Sequence, residues 1–394
     1  MTQDAIAAGV EALLGKGGVG EGAGAACRAL PADAEQTAAL VAWARAARLP
    51  LAVGHGATIA LAMGSERTLS GAVRLDLARL ARVRFYEPQD LTIGLEAGLT
   101  AGAIAAELAR AQQCLPLDVA GGDAARLGAI LAAHRSGPLR HYYGTVRDFT
   151  IGIEFVTAAG KLTHGGGRVV KNVAGYDLMR LMIGAQGTLG VITAANFKVF
   201  PRPAETETWG WGLAGWEQAE ALRGALLRHP GRPLALELCG PPLRAYLRFG
   251  GGAGARARWR RELAALSRHA GSEAEAVADE GAFWREYGAA ASGAQRWRLV
   301  APAGRGVAAL RALEGFAAAQ GRALRWRGRL GLGVFELELA PELEGRPALD
   351  WREAARRVHP EARLMRDDEP IETVLDGSGA DLALMRKLRA AVGA

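Results

Sequence analysis

The sequence predicts an α+β protein in two parts, and three observations carry that expectation. Strand-like and helix-like segments alternate through about the first 200 residues. The composition then breaks at Pro201-Arg202-Pro203. Beyond the break the order strand, helix, strand, strand, helix occurs twice, which suits an antiparallel sheet covered by helices. The chain has 394 residues, more than one ordinary core holds. The boundary is therefore placed after residue 203, giving domains of residues 1–203 and 204–394.

The elements follow in order. Residues 5–14 read as a helix. So do residues 33–49, where Asp33 stands at the N-cap, Gln36 lies three positions on as in a capping box, and Pro50 closes the run. Residues 51–53 read as a short buried strand leading into a turn at 54–58. Residues 72–77 and 91–97 read as strands, and Thr100 caps a helix reaching about Gln113. The small residues of 127–133 predict a helix able to pack closely on a ligand or a strand, and Ser136-Gly137-Pro138 predicts a turn. Residues 147–164 read as a hairpin turning at Ala159-Gly160. In the second part strands are expected at 206–212, 233–239, 243–249, 295–300, 323–329 and 332–339. Helices are expected at 216–228, 255–268, 305–320 and 351–357. Gly250–Gly254 and Ala270–Gly281 are expected to be surface loops.

Lys and Arg (48) exceed Asp and Glu (41) by 7. The excess is dispersed, with no run of like charge and no basic cluster interleaved with aromatics, so no nucleic-acid partner is expected. Cys27, Cys114 and Cys239 are far apart and form no CxxC, which predicts no zinc or iron–sulfur site and fits a reducing compartment. The N-terminus carries Asp4 and Glu11 and no basic region, so no signal peptide is expected. No apolar run is long enough to predict a transmembrane helix.

Three motifs bear on chemistry. Gly15, Gly17 and Gly20 match a dinucleotide fingerprint as a string. They follow a helix rather than a strand, and Glu21 stands where a phosphate loop needs lysine, so the stretch reads as a turn. The turn at 54–58 offers successive backbone N–H groups, two glycines and the Thr58 hydroxyl, the makings of a phosphate nest; a plain polar turn is the alternative. Residues 167–192 hold Gly167, Gly175, Gly184, Gly187 and Gly190 among Lys171, Asn172, Tyr176 and Asp177. That density implies tight turns or close approach of backbone to a ligand, with Lys171 and Asn172 suited to anionic or carbonyl groups. A salt-bridged loop between strands is the alternative.

Taken together, PLAVGHGAT (50–58), SGPLRHYYGTVRDF (136–149), GRVVKNVAGYDLMRLMIGAQGTLGVI (167–192) and KVFPRP (198–203) resemble the FAD-binding domain of the vanillyl-alcohol oxidase / para-cresol methylhydroxylase superfamily, in its bacterial glycolate oxidase branch. The resemblance covers about residues 30–203. It implies a PCMH-type domain of two α+β subdomains with noncovalent FAD between them, followed by an α+β cap domain. Position by position, it implies that Gly54, His55, Gly56, Ala57 and Thr58 hold the pyrophosphate. Leu127, Gly128, Ser136 and Gly137 would lie along the ribityl chain and flavin. Asp148 and the backbone of Gly187, Gly190, Val191 and Ile192 would face the adenine side or the flavin edge. Lys171 and Asn172 fall inside the motif without an assigned contact. His55 matches a glycine of the noncovalent loop. Two positions depart from the family's ATLGG turn, Arg126 for threonine and Ala129 for glycine, and Arg126 is bulky where backbone is expected to approach the cofactor.

The resemblance also implies the chemistry, oxidation of a small 2-hydroxy acid (glycolate or D-lactate) to the 2-oxo acid. The C-terminal half holds only the scattered His229, His269 and His359, so no metal site is expected and no catalytic residue is assigned. The chain is expected to work within a complex, beside a catalytic flavin subunit and an iron–sulfur subunit. It would be cytoplasmic, or peripheral to the inner membrane through that complex. Two other readings stand beside this one: a non-catalytic scaffold subunit with weakened FAD binding, and a stand-alone flavin reductase.

Overall fold

The computed structural model describes residues 1–22, 25–55, 58–61, 72–119, 121–168, 177–288, 295–339, 362–366 and 387. The chain divides into two compact units. One is built on Met1–Ser136 and Thr145–Arg202, the other on Gly137–Gly144 and Pro203–Asp367.

The first unit begins with α1 (Gln3–Leu14), β1 (Val19–Gly20), β2 (Cys27–Ala29), α2 (Ala34–Ala46), β3 (Leu51–His55), β4 (Thr58–Leu61) and β5 (Val73–Leu75). Its strands form a sheet in the order β1-β2-β5-β3-β4, with β5 parallel to both β2 and β3. The chain continues through β6 (Val83–Glu87), β7 (Thr92–Glu96), α3 (Ala101–Ala109), β8 (Gln113–Cys114) and α4 (Leu127–Ala132). A short helix of the second unit, α5 (Arg140–Tyr143), intervenes. Then come α6 (Val146–Phe149), β9 (Thr150–Thr157), β10 (Leu162–Gly166), α7 (Leu178–Met182), β11 (Gly190–Lys198) and β12 (Phe200–Pro201). A second, antiparallel sheet runs β10-β9-β11-β7-β6. All eight residues of β9 are buried, because both faces are covered. One face packs Ile153 and Phe155 against α3, α4 and α6; the other turns Val156, with Val191 of β11, onto the core of the first sheet and α2.

Local chemistry explains the element ends. The Asp33 carboxylate accepts from the Gln36 N–H at 2.7 Å, and the Gln36 side chain accepts from Ala32 N at 2.8 Å, so the expected start of α2 is realised. The helix stops well short of Pro50, because Arg48 takes a left-handed φ of 54° and Leu49 N bonds back to Ala44 O. Residues 147–149, read as strand, form the helical turn α6 instead.

The second unit comprises α5 followed by β13 (Glu205–Gly212), α8 (Trp216–Arg228), β14 (Ala235–Gly240), β15 (Arg244–Gly251), α9 (Ala253–Ala270), β16 (Glu275–Ala276) and α10 (Glu280–Gly288). β17 (Gln295–Val300), α11 (Gly306–Ala319), β18 (Leu324–Arg329), β19 (Val334–Leu339) and β20 (Arg363–Arg366) complete it. Its eight strands form one sheet in the order β16-β13-β15-β14-β18-β19-β17-β20, with every recorded pairing antiparallel. Helices α8, α9 and α11 bury Leu222, Leu263 and Leu310 on alternate strand residues such as Leu238, Leu247 and Phe335. The doubled order expected from sequence is present up to the last helix, since 351–357 lies outside the described residues. The loop expected at Gly250–Gly254 is instead the end of β15 and the start of α9. The one expected at Ala270–Gly281 contains β16 and leads into α10. That helix lies on the sheet face away from the main core: the Tyr287 hydroxyl donates to Glu237 at 3.0 Å, and the Phe283 ring centroid is 4.6 Å from that of Tyr246.

Candidate functional site

The glycine-dense segment forms a wall in the first unit. Helix α4 is pressed onto the β7–α3 turn: Gly128 N donates to Ala97 O at 2.7 Å, and Leu127 N to Leu99 O at 2.9 Å. The carbonyls at the end of α4 are satisfied from the segment before β11, with Gly184 N bonding Leu131 O and Gln186 N bonding Ala132 O. That segment can lie against α4 because Gly187 adopts a φ of 77° and Gly190 one of 151°. Strand β11 then enters beside β9, with Gly190 paired to Thr157.

Two cavities adjoin along this wall. One spans about 700 Å³ and the other about 1290 Å³, each counted out into open solvent, and Val53, Gly187, Gly190 and Val191 line both. The smaller draws Val53 and Leu75 from the first sheet and Gly190, Val191 and Ile192 from the second, with Leu77 and Ala97 from just past the ends of β5 and β7, so it lies between the two sheets. Arg126 and Asp76 are its charged lining residues. Asp76 is almost fully buried, is paired to Arg28 and accepts from Ala78 N at 2.9 Å, so its charge is engaged by the protein. The larger cavity continues past Thr157 and Thr188 to Arg45 and Arg48 at the end of α2.

The expected site residues separate into groups. Gly128, Gly187, Gly190, Val191 and Ile192 line the cleft. Gly54, His55 and Thr58 lie on the β3–β4 hairpin, where His55 pairs with Thr58, directly after the lining residue Val53. Gly56 and Ala57, together with Lys171 and Asn172, lie outside the described residues. Leu127 lines neither cavity; it is fully buried in the core beneath α4. Asp148 also lines neither cavity: its carboxylate closes a capping box on α6, accepting from the Thr145 N–H at 2.7 Å and the Thr145 hydroxyl at 2.8 Å. Ser136 ends one stretch of the first unit and Gly137 begins the second, where the Gly137 carbonyl accepts from Arg329 Nε at 3.3 Å. The sequence reading missed Leu75, Leu77, Ala97, Arg45 and Arg48. They come from separate elements brought together by tertiary packing; the alternating strand around residue 75 was the one available signal. Among the described residues no group of three His, Cys, Asp or Glu side chains is arranged to hold a metal ion, and no helix is long and apolar enough to cross a membrane.

Comparison with known proteins decides what kind of cleft this is. The FAD binding domain family matches residues 25–166, a stretch that includes β2 to β10 and all of α4. Residues 25–166 are thus similar to an FAD binding domain. Curated relatives of the chain include an oxidase subunit and dehydrogenases. Glycolate oxidase subunit GlcE of Escherichia coli (strain K12) is 45% identical over 119 residues, covering 30% of this chain and 34% of that protein. A D-2-hydroxyglutarate dehydrogenase of Xanthomonas citri pv. viticola is 30% identical over 175 residues, covering 44% and 37%. The chain thus spans little more than a third of the length of these two relatives. Among solved structures, 4-ethylphenol oxidase from Gulosibacter chungangensis superposes with a TM-score of 0.73 at 13% identity, covering 99% of this chain and 95% of that one. A chitooligosaccharide oxidase gives 0.65 at 16%, covering 93% and 88%. These two show the fold alone, the α+β architecture expected from sequence.

The walls of the two cavities have room for a large flat ligand. A Cβ at Gly190 would stand 2.4 Å from Val156 O, so that stretch of wall stays bare backbone. The lining is mainly apolar, with Arg126 on the smaller cavity and Arg45 and Arg48 on the larger, a composition that suits a ring system joined to an anionic group.

Proposed function

We propose that this chain is the FAD-holding subunit of an oxidase or dehydrogenase of small 2-hydroxy acids, with glycolate or D-lactate as substrate and the 2-oxo acid as product. The observation that carries the reading is the cleft walled by Gly128, Gly187, Gly190, Val191 and Ile192, within a chain 45% identical over its matched stretch to a glycolate oxidase subunit. Bound FAD supplies the acceptor for a hydride from the hydroxyl-bearing carbon. The chain's own contribution is positional. The backbone of 187–192 and the face of α4 hold the cofactor, the apolar lining excludes water from it, and the hairpin at Gly54, His55 and Thr58 takes the pyrophosphate. The substrate hydroxyl proton is removed by a base on a partner subunit. The partners are a catalytic flavin subunit and an iron–sulfur subunit, and the complex is cytoplasmic or rests on the inner membrane.

Purification from the native source tests this directly. The expected result is a flavin-coloured complex that contains an iron–sulfur protein and reduces a dye with glycolate or D-lactate, while the isolated chain binds FAD but turns over neither acid. A colourless chain that ignores added FAD sinks the reading. Reduction of its flavin by NADPH in isolation favours a stand-alone reductase instead.

A further inference from the structure

Arg126 stands where the sequence comparison expects a small residue and therefore an open approach to the cofactor. The structure gives it a different position. Its backbone is fixed on both sides, through the bridge to Thr100 and the bond from Leu127 N to Leu99 O. Its Nη1 donates to Gly98 O at 2.6 Å, which holds the guanidinium at the β7–α3 turn next to the lining residue Ala97. The Nε is buried and has no hydrogen-bond partner, and no carboxylate pairs with the group among the described residues. Among the described residues lining the same cavity the acidic one is Asp76, and it is already engaged by Arg28 and Ala78 N. A guanidinium without a counter-charge against an apolar wall is unfavourable until an anion arrives.

We propose that Arg126 is that anion's partner: within the FAD reading of the cleft, on which this inference rests, it binds the pyrophosphate of the cofactor. Two observations select the pyrophosphate over the ring. Arg126 lines the same cavity as Val53, the residue that leads into the hairpin of Gly54, His55 and Thr58. The guanidinium also carries donors in a fork that matches phosphate oxygens, and such charge-assisted bonds are about twice as strong as neutral ones. In this chain, then, a side-chain cation supplements a backbone nest, and the substitution that looked like an obstruction strengthens cofactor retention.

The test is a fluorescence titration of the apo chain with FAD and, separately, with riboflavin, for wild type, Arg126→Gln, Arg126→Thr and Arg126→Lys at low and high salt. The expected result is FAD affinity lowered roughly tenfold or more in the Gln and Thr variants, with Lys in between. The salt dependence of FAD binding should be shallower in both neutral variants, and riboflavin affinity the same in all four. Apo melting curves accompany the titrations. If the neutral variants unfold early, the salt dependence of the wild type and the comparison with Lys still decide, because Lys retains the charge. Tighter or equal FAD binding by Arg126→Thr overturns the inference, and so does a riboflavin affinity that falls in step with that for FAD. A wild-type chain that binds no FAD overturns the underlying reading as well, whereas wild-type binding with indifferent variants overturns this inference alone.

Discussion

Gly190 and Val156 meet so closely that a Cβ on the glycine would stand 2.4 Å from the valine's carbonyl oxygen. The contact lets β11 start beside β9 while its first residue lines both cavities. Gly190→Ala adds this clash to a φ of 151°, a conformation alanine rarely takes. We expect a loss of about 2 kcal/mol or more in stability, together with a marked fall in FAD affinity. Thermal melts and FAD titration of the variant check both, and an unchanged melting curve would contradict the packing described.

Glu154 makes the first unit's stability sensitive to acid. Burial opposes its charge, yet Arg84 donates to both carboxylate oxygens at 2.8 Å, the Thr193 hydroxyl donates at 2.7 Å, and His164 Nε2 lies at 3.0 Å. These contacts hold the carboxyl down at about 2. A carboxyl with a lowered folded-state value stabilises fully above its ordinary value and loses that contribution as pH falls. The loss should therefore run between about 4.5 and about 2 and be on the order of 3 kcal/mol. Urea unfolding at stepped pH should show this slope, and Glu154→Gln should flatten it and lower stability at neutral pH.

Cys239 is expected to be a slow thiol. Burial, and then the neighbouring Glu237, push it up to about 11 against the smaller pull of Arg244 and Arg327. At pH 8 the reactive thiolate is roughly one part in a thousand. Iodoacetamide should leave the Cys239 peptide unmodified, by mass spectrometry, over times that saturate a free cysteine peptide, with the rate climbing until pH nears 11. Rapid alkylation of the folded chain at pH 8 would contradict the burial.

Asp148 is held by its capping box on Thr145 and lines neither cavity. Asp148→Ala should cost about 1 kcal/mol of stability and leave FAD affinity within twofold of wild type. A much larger drop in FAD affinity at an unchanged melting temperature would place this carboxylate on the cofactor.

How far the fold could be read ahead varied with the kind of signal. Helix α8 was read with its observed bounds of 216 and 228, and β17 with its bounds of 295 and 300, because their hydrophobic periods are clear. The start of α2 was legible through Asp33 and Gln36, while its end was not, since Arg48 carries no sign of its left-handed turn. Helix α10 escaped because it is nine residues long and is held by aromatic contacts to a distant strand rather than by a repeating pattern. In the site, Gly187 and Gly190 announced themselves by composition. Leu127 was placed along the cofactor by the resemblance alone; the residue is fully buried in the core and lines neither cavity. Ala97 and Leu77 are ordinary strand-end residues whose role depends on what packs opposite them, and nothing local could mark them.

The excursion of residues 137–144 has a consequence for how this protein is made. The loop belongs to the second unit, where Arg329 and Arg232 bond its carbonyls at Gly137 and Tyr142 and a Cβ at Gly331 would press on His141. During synthesis it leaves the ribosome ahead of β9 and β11, and well before any strand that will receive it exists. The nascent first unit must therefore mature around an outward loop with no docking surface yet translated. A gene fragment cut at Pro203 would put that loop in one product and Arg232, Arg329 and Gly331, which meet it, in the other.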